Sequence, residues 1–274
     1  MSVGHCCHDK IGDDFVLGGT ASYASLVAKQ LQSRSSIITS IGQDFLYNEE
    51  FKQYGIDLMV IPDLKTTVFE NIYLPEGRDQ YIHHKAANIS KDKISANHDD
   101  VDILLLCPIA DEVNINVVDL FPNSLKGASI QGWLRTWGND KKIKSVEMDW
   151  ALLAALDIVI ISEEDIGYSK SKLEHIVDAV SHVVLTDGVN GATVFYEQQK
   201  IKLPAFPVVE VEATGAGDVF TTAYLHHFHE TGSIEKSCIF AHCAASFIVE
   251  GIGIKNLPTE HKIRERMENY IFNV

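Results

Sequence analysis

The chain has no basic excess to offer a polyanion. Its 38 acidic side chains outnumber 23 Lys and Arg, giving a formal net charge of −15 and a pI near 5.1. With no cationic surplus to displace phosphate counterions, nucleic acid and anionic membranes are excluded as partners. No apolar run reaches the roughly 18 residues of a membrane-spanning helix, and the first residues lack the basic and apolar regions of a secretory signal. A cytoplasmic protein is expected. Cysteines are few and irregularly spaced: Cys6, Cys7, Cys107, Cys238 and Cys243, an odd set that fits reduced thiols better than a disulfide framework. Missing too are a G-x-x-x-x-G-K-[ST] run and an early G-x-G-x-x-G, which disfavours P-loop ATPases and nicotinamide-dependent Rossmann proteins. There is no internal repeat, low-complexity segment or long linker.

What is present is ordinary globular composition: 274 residues, 46% hydrophobic and 22% charged, enough for one large core. Residues 1–9 read as a first strand whose C-terminal end delivers Asp9, followed by a short strand at 11–17 and a helical stripe of Tyr23, Leu26, Val27 and Leu31 behind Gly18-Gly19. Residues 66–83 alternate in polarity and turn at Pro75-Glu76-Gly77, a hairpin with one polar face, as in a half-exposed sheet or lid. From Asp102 onward, apolar strands at 103–106, 128–132, 157–161 and 183–186 alternate with helices at 113–121 and 171–180, the pattern of a parallel sheet covered on both faces. Asp187-Gly188 and Asn190-Gly191 mark turns before an antiparallel strand at 192–196, and the remainder is helical at 218–231, 234–250 and 260–272.

The chemistry concentrates between Val209 and Phe220. A β-branched run leads into Gly215-Ala216-Gly217-Asp218, then Val219, Phe220, Ala223, Tyr224 and His227 follow at helical spacing. Two glycines allow a tight turn and clear side chains from the helix start, whose free N–H groups then face an anion. An acid there is also stabilised by the helix dipole without any chemistry. But Asp218 repels the phosphate such a pocket attracts, and a general base taking a hydroxyl proton during phosphoryl transfer has a reason to stand there.

Other groupings read as structure. His5-Cys6-Cys7-His8 has metal-binding residue types, but adjacent strand residues point to opposite faces and the spacing is not one used for zinc. Cys238, His242 and Cys243 fall in an Ala-rich helix as core residues, while His226, His227 and His229 ride a helix face.

Gly18-Gly19 before a helix of small residues, Gly42-Gln43-Asp44, Thr186-Asp187-Gly188 with Gly191, Gly215-Ala216-Gly217-Asp218 and Glu250-Gly251-Ile252-Gly253, in this order, resemble the ribokinase-like (PfkB-type) carbohydrate kinases. Gly19 to Tyr23, Phe69-Glu70-Asn71 and Gln131 to Arg135 look similar to the inositol-kinase-like branch. The resemblance covers the whole chain. It implies a three-layer α/β/α ribokinase-like fold, residues 1–274 as one kinase domain, with a mostly parallel central sheet and a small β lid from strands near 10–18 and 64–87. It implies an ATP-dependent phosphotransferase acting on an alcohol group of a small sugar, cyclitol such as myo-inositol, or related polyol, with Asp218 as general base and Gly215, Ala216 and Gly217 as anion hole. Asp9, Gly18, Gly19, Tyr23, Arg78, Gln80 and Arg135 then bind the acceptor. Thr186, Gly188, Gly191, His242 and Gly251 bind the nucleotide, and Asp165 serves Mg2+ through water. A monovalent cation and a homodimer through the lid are allowed by the same resemblance.

Four positions depart from the family pattern. Glu212 or Ala213-Thr214 stands for an Asp-Thr, Tyr23 for a sugar-binding Asn, Ser162 and Asp165 for the ends of an Asn-x-x-Glu element, and His242 for an Asn near adenine. Tyr23 weighs against a ribose-like acceptor. A nucleoside kinase of the same fold and a non-catalytic sugar-binding relative remain open alternatives. Arg78 and Gln80 also read as a solvated lid tip, Arg135 as half of an ion pair, and Gly251 as a helix end.

Overall fold

The computed structural model describes residues 1–74, 77–95, 98–251 and 253–268, without the side chains of 73, 74, 77, 78 and 255. Its strands in chain order are β1 (Ser2–Val3), β2 (Cys7–Ile11), β3 (Asp14–Gly18), β4 (Ser36–Ile41), β5 (Asp57–Pro62), β6 (Thr67–Leu74), β7 (Gly77–His84), β8 (Ile103–Leu106), β9 (Leu125–Ser129), β10 (Arg135–Trp137), β11 (Ile143–Ser145), β12 (Ile158–Ser162), β13 (His182–Thr186), β14 (Ala192–Tyr196) and β15 (Gln199–Leu203). The α-helices are α1 (Thr20–Gln30), α2 (Asn48–Gln53), α3 (Lys170–Ala179), α4 (Ala216–Thr231), α5 (Ile234–Val249) and α6 (Glu260–Glu268).

Neighbouring residues of the apolar strands face opposite ways, and this alternation builds two cores. Ile37, Leu105, Ile160 and Val184 pack with residues of α1, α4 and α5. Ile38, Leu104, Val159 and Val183 pack on the other side with Ile176 of α3, Val117, Phe121 and Trp133. Between them lies a nine-stranded sheet ordered β15-β14-β13-β12-β9-β8-β1-β4-β5, parallel from β13 to β5 and antiparallel at β13-β14-β15. The three-layer, mostly parallel arrangement expected from the sequence is therefore present, with a second sheet ordered β3-β2-β6-β7 beside it.

The first strand differs from expectation. It ends at Val3: Gly4 N–H still donates to Ile38 O at 3.1 Å, but the donors after it leave the ladder, His5 N–H donating to the Glu112 carboxylate at 3.0 Å and Cys6 N–H to the Thr39 hydroxyl at 2.8 Å. The chain crosses into the second sheet, so Asp9 is supplied by β2, opposite Val16 of β3 and Phe69 of β6. The segment after β8 also differs. Ile115–Leu120 is a 3-10 helix rather than an α-helix, started by the Asn114 side chain accepting from Asn116 N–H and disfavoured as α by paired β-branched Val117-Val118. The strand expected at 128–132 stops at Ser129, and Ile130–Leu134 winds into another 3-10 turn.

Candidate active site

Gly215 sets the entry to α4 with φ 83°, a left-handed conformation that glycine adopts freely. Ala216 N–H is used by Ala213 carbonyl at 3.1 Å. Among the described residues, the helix-start amides without backbone partners are therefore those of Gly217 and Asp218, and the Ala216 amide of the expected anion hole is already occupied. A Cβ on Gly217 would meet nothing within 4 Å, so the side-chain position beside these amides is open.

Asp218 lies in the first turn of α4, keeping some open surface while its carboxyl is enclosed by protein. It is raised to about 6, first by burial and then by the carboxylates of Asp165 and Asp9, against the Thr20 hydroxyl and the Arg135 guanidinium, which hold it down. One region thus gathers Asp218, Asp9, Asp165 and Arg135. Thr20, at the start of α1, accepts from Gln131 Nε2 at 3.1 Å, and Gln131 Oε1 accepts from Arg135 Nη2 at 2.8 Å. Arg135 Nη1 also donates to the Ile109 carbonyl at 3.1 Å.

On the acceptor side, Gly18 lies so close to the Asp9 carboxyl that any Cβ would collide with it, and Gly19, at φ 93°, presses on the His5 carbonyl. Tyr23 is 5% exposed, and its ring covers Gly215. Burial, with Asp218 and Asp9 nearby, drives its phenol far above the ordinary tyrosine range. Gln80 on β7 donates to Asn71 Oδ1 across the strand pair at 2.9 Å. The Arg78 side chain lies outside the described residues.

The donor side follows β13. Thr186 ends that strand, Gly188 opens a 3-10 turn, and Gly191 (φ 92°) is required by its approach to the Leu203 carbonyl. Val189, Val209 and Val211 are large apolar residues left exposed. Val211 N–H donates to Val249 O at 2.7 Å and Gly253 N–H to Glu212 Oε2 at 3.3 Å, stitching the segment before Gly215 to the end of α5. His242 is buried, edge-on to Phe220 at 5.0 Å, with Nε2 unpartnered among the described residues and the ring held down at about 4 by burial. Gly251 packs on the Asn256 amide. Asp165 accepts from Ser162 Oγ at 2.6 Å, and its N–H donates back to Ser162 Oγ at 3.0 Å.

Sequence reasoning noted Thr20 and Gln131 only within stretches of family resemblance and gave them no role, and it missed Glu112. Glu112 is 1% exposed, and its carboxylate accepts from the amides of His5, Ile109 and Ala110, fixing both the β1–β2 crossing and the loop that carries Ile109. Nothing in the residue pattern flagged a lone Glu after an apolar strand. His227 is 3% exposed and bonds Ser237 rather than riding a free helix face. His226, Glu230 and Glu260 lie together, but Arg264 already pairs with both glutamates. Among the described residues no helix is long and apolar enough to cross a membrane.

A sequence profile for the pfkB family carbohydrate kinase matches residues 13–261. A nucleoside kinase of Methanocaldococcus jannaschii is 27% identical over 139 residues, covering 48% of this chain and 46% of that protein, so the match spans less than half of the relative. The inositol 3-kinase of Arabidopsis thaliana is 24% identical over 92% of this chain and 74% of its own length. Among solved structures, a pyrophosphate-dependent kinase in the ribokinase family, complexed with a pyrophosphate analog and myo-inositol, superposes with a TM-score of 0.80 at 19% identity, covering 96% of this chain and 98% of that one.

Proposed function

The chain belongs to the pfkB family of carbohydrate kinases, and from that premise we propose that it transfers the terminal phosphoryl group of ATP to a hydroxyl of a small uncharged polyol, a cyclitol such as myo-inositol or a sugar, with Asp218 as general base. One observation carries this reading: an enclosed carboxyl, held above the ordinary aspartate range at about 6, stands in the first turn of a helix whose Gly217 and Asp218 amides have no backbone partner among the described residues. Such a group is ionised at neutral pH yet more basic than an ordinary aspartate, which suits proton abstraction from an alcohol.

In this reading the acceptor hydroxyl donates its hydrogen bond to Asp218, and the proton moves to that carboxylate as oxygen attacks the terminal phosphorus of ATP and the bond from that phosphorus to its bridging oxygen breaks, releasing ADP. The Gly217 and Asp218 amides and the α4 dipole receive the charge gathering on the transferred group. Asp9, with Gly18 and Gly19 clearing its approach, accepts hydrogen bonds from the remaining acceptor hydroxyls. Tyr23, Gln80 and Arg135 are assigned to the same acceptor, as is Arg78, which shares β7 with Gln80. Thr186, Gly188, Gly191 and Gly251 form the backbone of the donor side, with Val189, Val209 and Val211 as an apolar rim for a planar base and His242 behind it. The oxygen donors at this end, Asp165 first, suit Mg2+ held through water. When bound, that ion neutralises phosphate charge.

The lid exposes Ile11, Phe15, Val16 and Ile72, which supports a homodimer through this sheet, measurable by light scattering.

The test is a panel of myo-inositol, ribose, fructose, 2-keto-3-deoxygluconate and nucleosides, each offered with ATP and with pyrophosphate, the phosphorylated product being read by 31P NMR. Product from a cyclitol or sugar with ATP is expected. Product only from nucleosides supports the nucleoside kinase reading, product only with pyrophosphate reassigns the donor, and binding of a polyol without any product supports a non-catalytic sugar binder.

A further inference from the structure

The β10–β11 hairpin extends the lid sheet. Tyr81 of β7 pairs antiparallel with Lys142, and Ile82 N–H donates to the Lys141 carbonyl at 2.9 Å. Next to these contacts, between the end of β7 and the turn of the hairpin, lies a cavity of about 390 Å3 whose lining includes His83, His84, Lys85, Trp137, Asn139 and Lys141. None of these residues belongs to the transfer site described above.

In a chain of net charge −15, this cavity collects two cations that lack an anion of their own. The exposed Lys141 side chain makes no hydrogen bond or ion pair among the described residues. Lys85 Nζ reaches the Asp111 backbone carbonyl at 3.0 Å and stands 5.7 Å from the centre of the Trp137 ring, with no carboxylate in contact. The neighbouring lysines differ: Lys142 is paired with Asp79 at 2.7 Å, Lys144 with Asp140 at 2.6 Å and Lys10 with Glu70 at 2.9 Å. Two acids stand in the field of Lys85, Asp111 and Glu112, and the Glu112 carboxylate is already taken by the amides of His5, Ile109 and Ala110. Burial pulls the Lys85 ammonium below the ordinary lysine range, so it has lost water without gaining an ion pair. His84 Nε2 is likewise buried without a hydrogen-bond partner among the described residues, which costs stability until a partner is supplied.

We propose that this cavity binds a phosphate-bearing small molecule, held by Lys85 and Lys141, and that its occupant braces the lid against the β10–β11 hairpin. Phosphate suits the pair because lysine meets it as a point charge and its several oxygens reach two ammonium groups at once. The volume falls within the roughly 300–1,000 Å3 of small-molecule sites, leaving room for the alcohol part of a phosphate ester beside Trp137. Both walls lead toward the acceptor residues: Gln80 shares β7 with His83 and His84, and Arg135 opens the strand that Trp137 closes. An occupant that fixes one wall against the other therefore changes how the acceptor is held. The site stands on its own geometry, and only its coupling to the acceptor rests on the proposed function.

The experiment follows the indole N–H signals of the three tryptophans in the full chain by 1H–15N NMR, Trp137 being assigned by its loss in Trp137→Phe. At constant ionic strength, inorganic phosphate and glucose 6-phosphate should each move the Trp137 signal saturably, the ester at the lower concentration, and chloride should not. Lys141→Glu, folded by circular dichroism, should weaken binding of the ester by about ten- to hundred-fold, and Lys85→Met should act in the same direction. A Trp137 signal that stays still, or that moves alike in the wild type and Lys141→Glu, overturns the site. A shift with inorganic phosphate and none with the ester marks an adventitious ion only and overturns the ester site. With an acceptor identified, saturating ester should change its KM by at least about five-fold in the wild type and not in Lys141→Glu; an unchanged KM overturns the bracing role. A saturable shift in a protein that phosphorylates no acceptor leaves the site standing and instead overturns the proposed function.

Discussion

The Tyr23 ring lies over Gly215 so closely that a methyl group built on that glycine would stand 2.5 Å from Tyr23 Cε1. Helix α1, which begins at the acceptor-side glycine pair, is thereby packed against the turn that opens the donor-side helix. Among the described residues the Tyr23 hydroxyl makes no hydrogen bond, although the residue is nearly buried.

Two substitutions follow from that contact. Gly215→Ala places a Cβ at a left-handed backbone position and into the ring, so it should destabilise the fold by about 1–3 kcal/mol and abolish turnover together with donor binding. Tyr23→Phe keeps the ring over Gly215 and removes only the hydroxyl; its melting temperature should match the wild type while the acceptor KM rises. A steady-state comparison alongside thermal melts reads both.

Asp218 should cost the fold stability at neutral pH. Its folded value of about 6 lies above the ordinary 3.8, so the folded state holds the proton more tightly than the unfolded chain. The stability this group contributes is fully present below 3.8 and is lost as pH rises through about 6. Asp218→Asn should then be the more stable protein at pH 7, by up to about 3 kcal/mol, and by less in proportion to the solvent that still reaches the residue. Urea unfolding of the two proteins at pH 4 and pH 7 should show the difference at the higher pH and little at the lower.

The buried histidines act in the opposite direction. Burial holds His182 and His242 at about 4 against an ordinary 6.5, so the unfolded chain takes up protons first. Their contribution is present above 6.5 and lost as pH falls through about 4. His182 Nε2 meets the Tyr224 hydroxyl at 2.7 Å. His182→Gln, which keeps a neutral partner for that hydroxyl, should flatten the acid slope of the urea midpoint between pH 6.5 and 4.

Much of this architecture was legible in the residues. The apolar runs of β8, β12 and β13 announced a sheet buried on both faces, and Gly215 to Asp218 announced a glycine turn into a helix. What could not be read was long-range polar pairing. The departure of His5 and Cys6 from the first strand depends on Glu112 and Thr39, which lie 107 and 33 residues away. Asp9 therefore looked like the end of a main-sheet strand when it belongs to the second sheet. Thr20 and Gln131 were silent for the same reason: a threonine at a helix start and a glutamine in a 3-10 turn have meaning only once the fold brings them 111 residues together. The Ala216 amide was counted free because its bond to Ala213 is a feature of turn geometry rather than of composition.

Glu112 offers a test of that long-range pairing. Glu112→Ala leaves the buried amides of His5, Ile109 and Ala110 without an acceptor and should destabilise the protein by roughly 3–5 kcal/mol. Glu112→Gln, which retains one carbonyl oxygen, should lose less. Urea denaturation orders wild type, Gln and Ala from most to least stable; an Ala variant as stable as the wild type would remove Glu112 as the anchor of the β1–β2 crossing.

The most direct measurement compares wild type with Asp218→Asn on whichever acceptor the panel identifies, recording turnover and the binding of both substrates by calorimetry. The account predicts a folded Asn variant that binds donor and acceptor about as well as the wild type but loses at least about a hundred-fold in kcat. An Asn variant that turns over at close to the wild-type rate would contradict it.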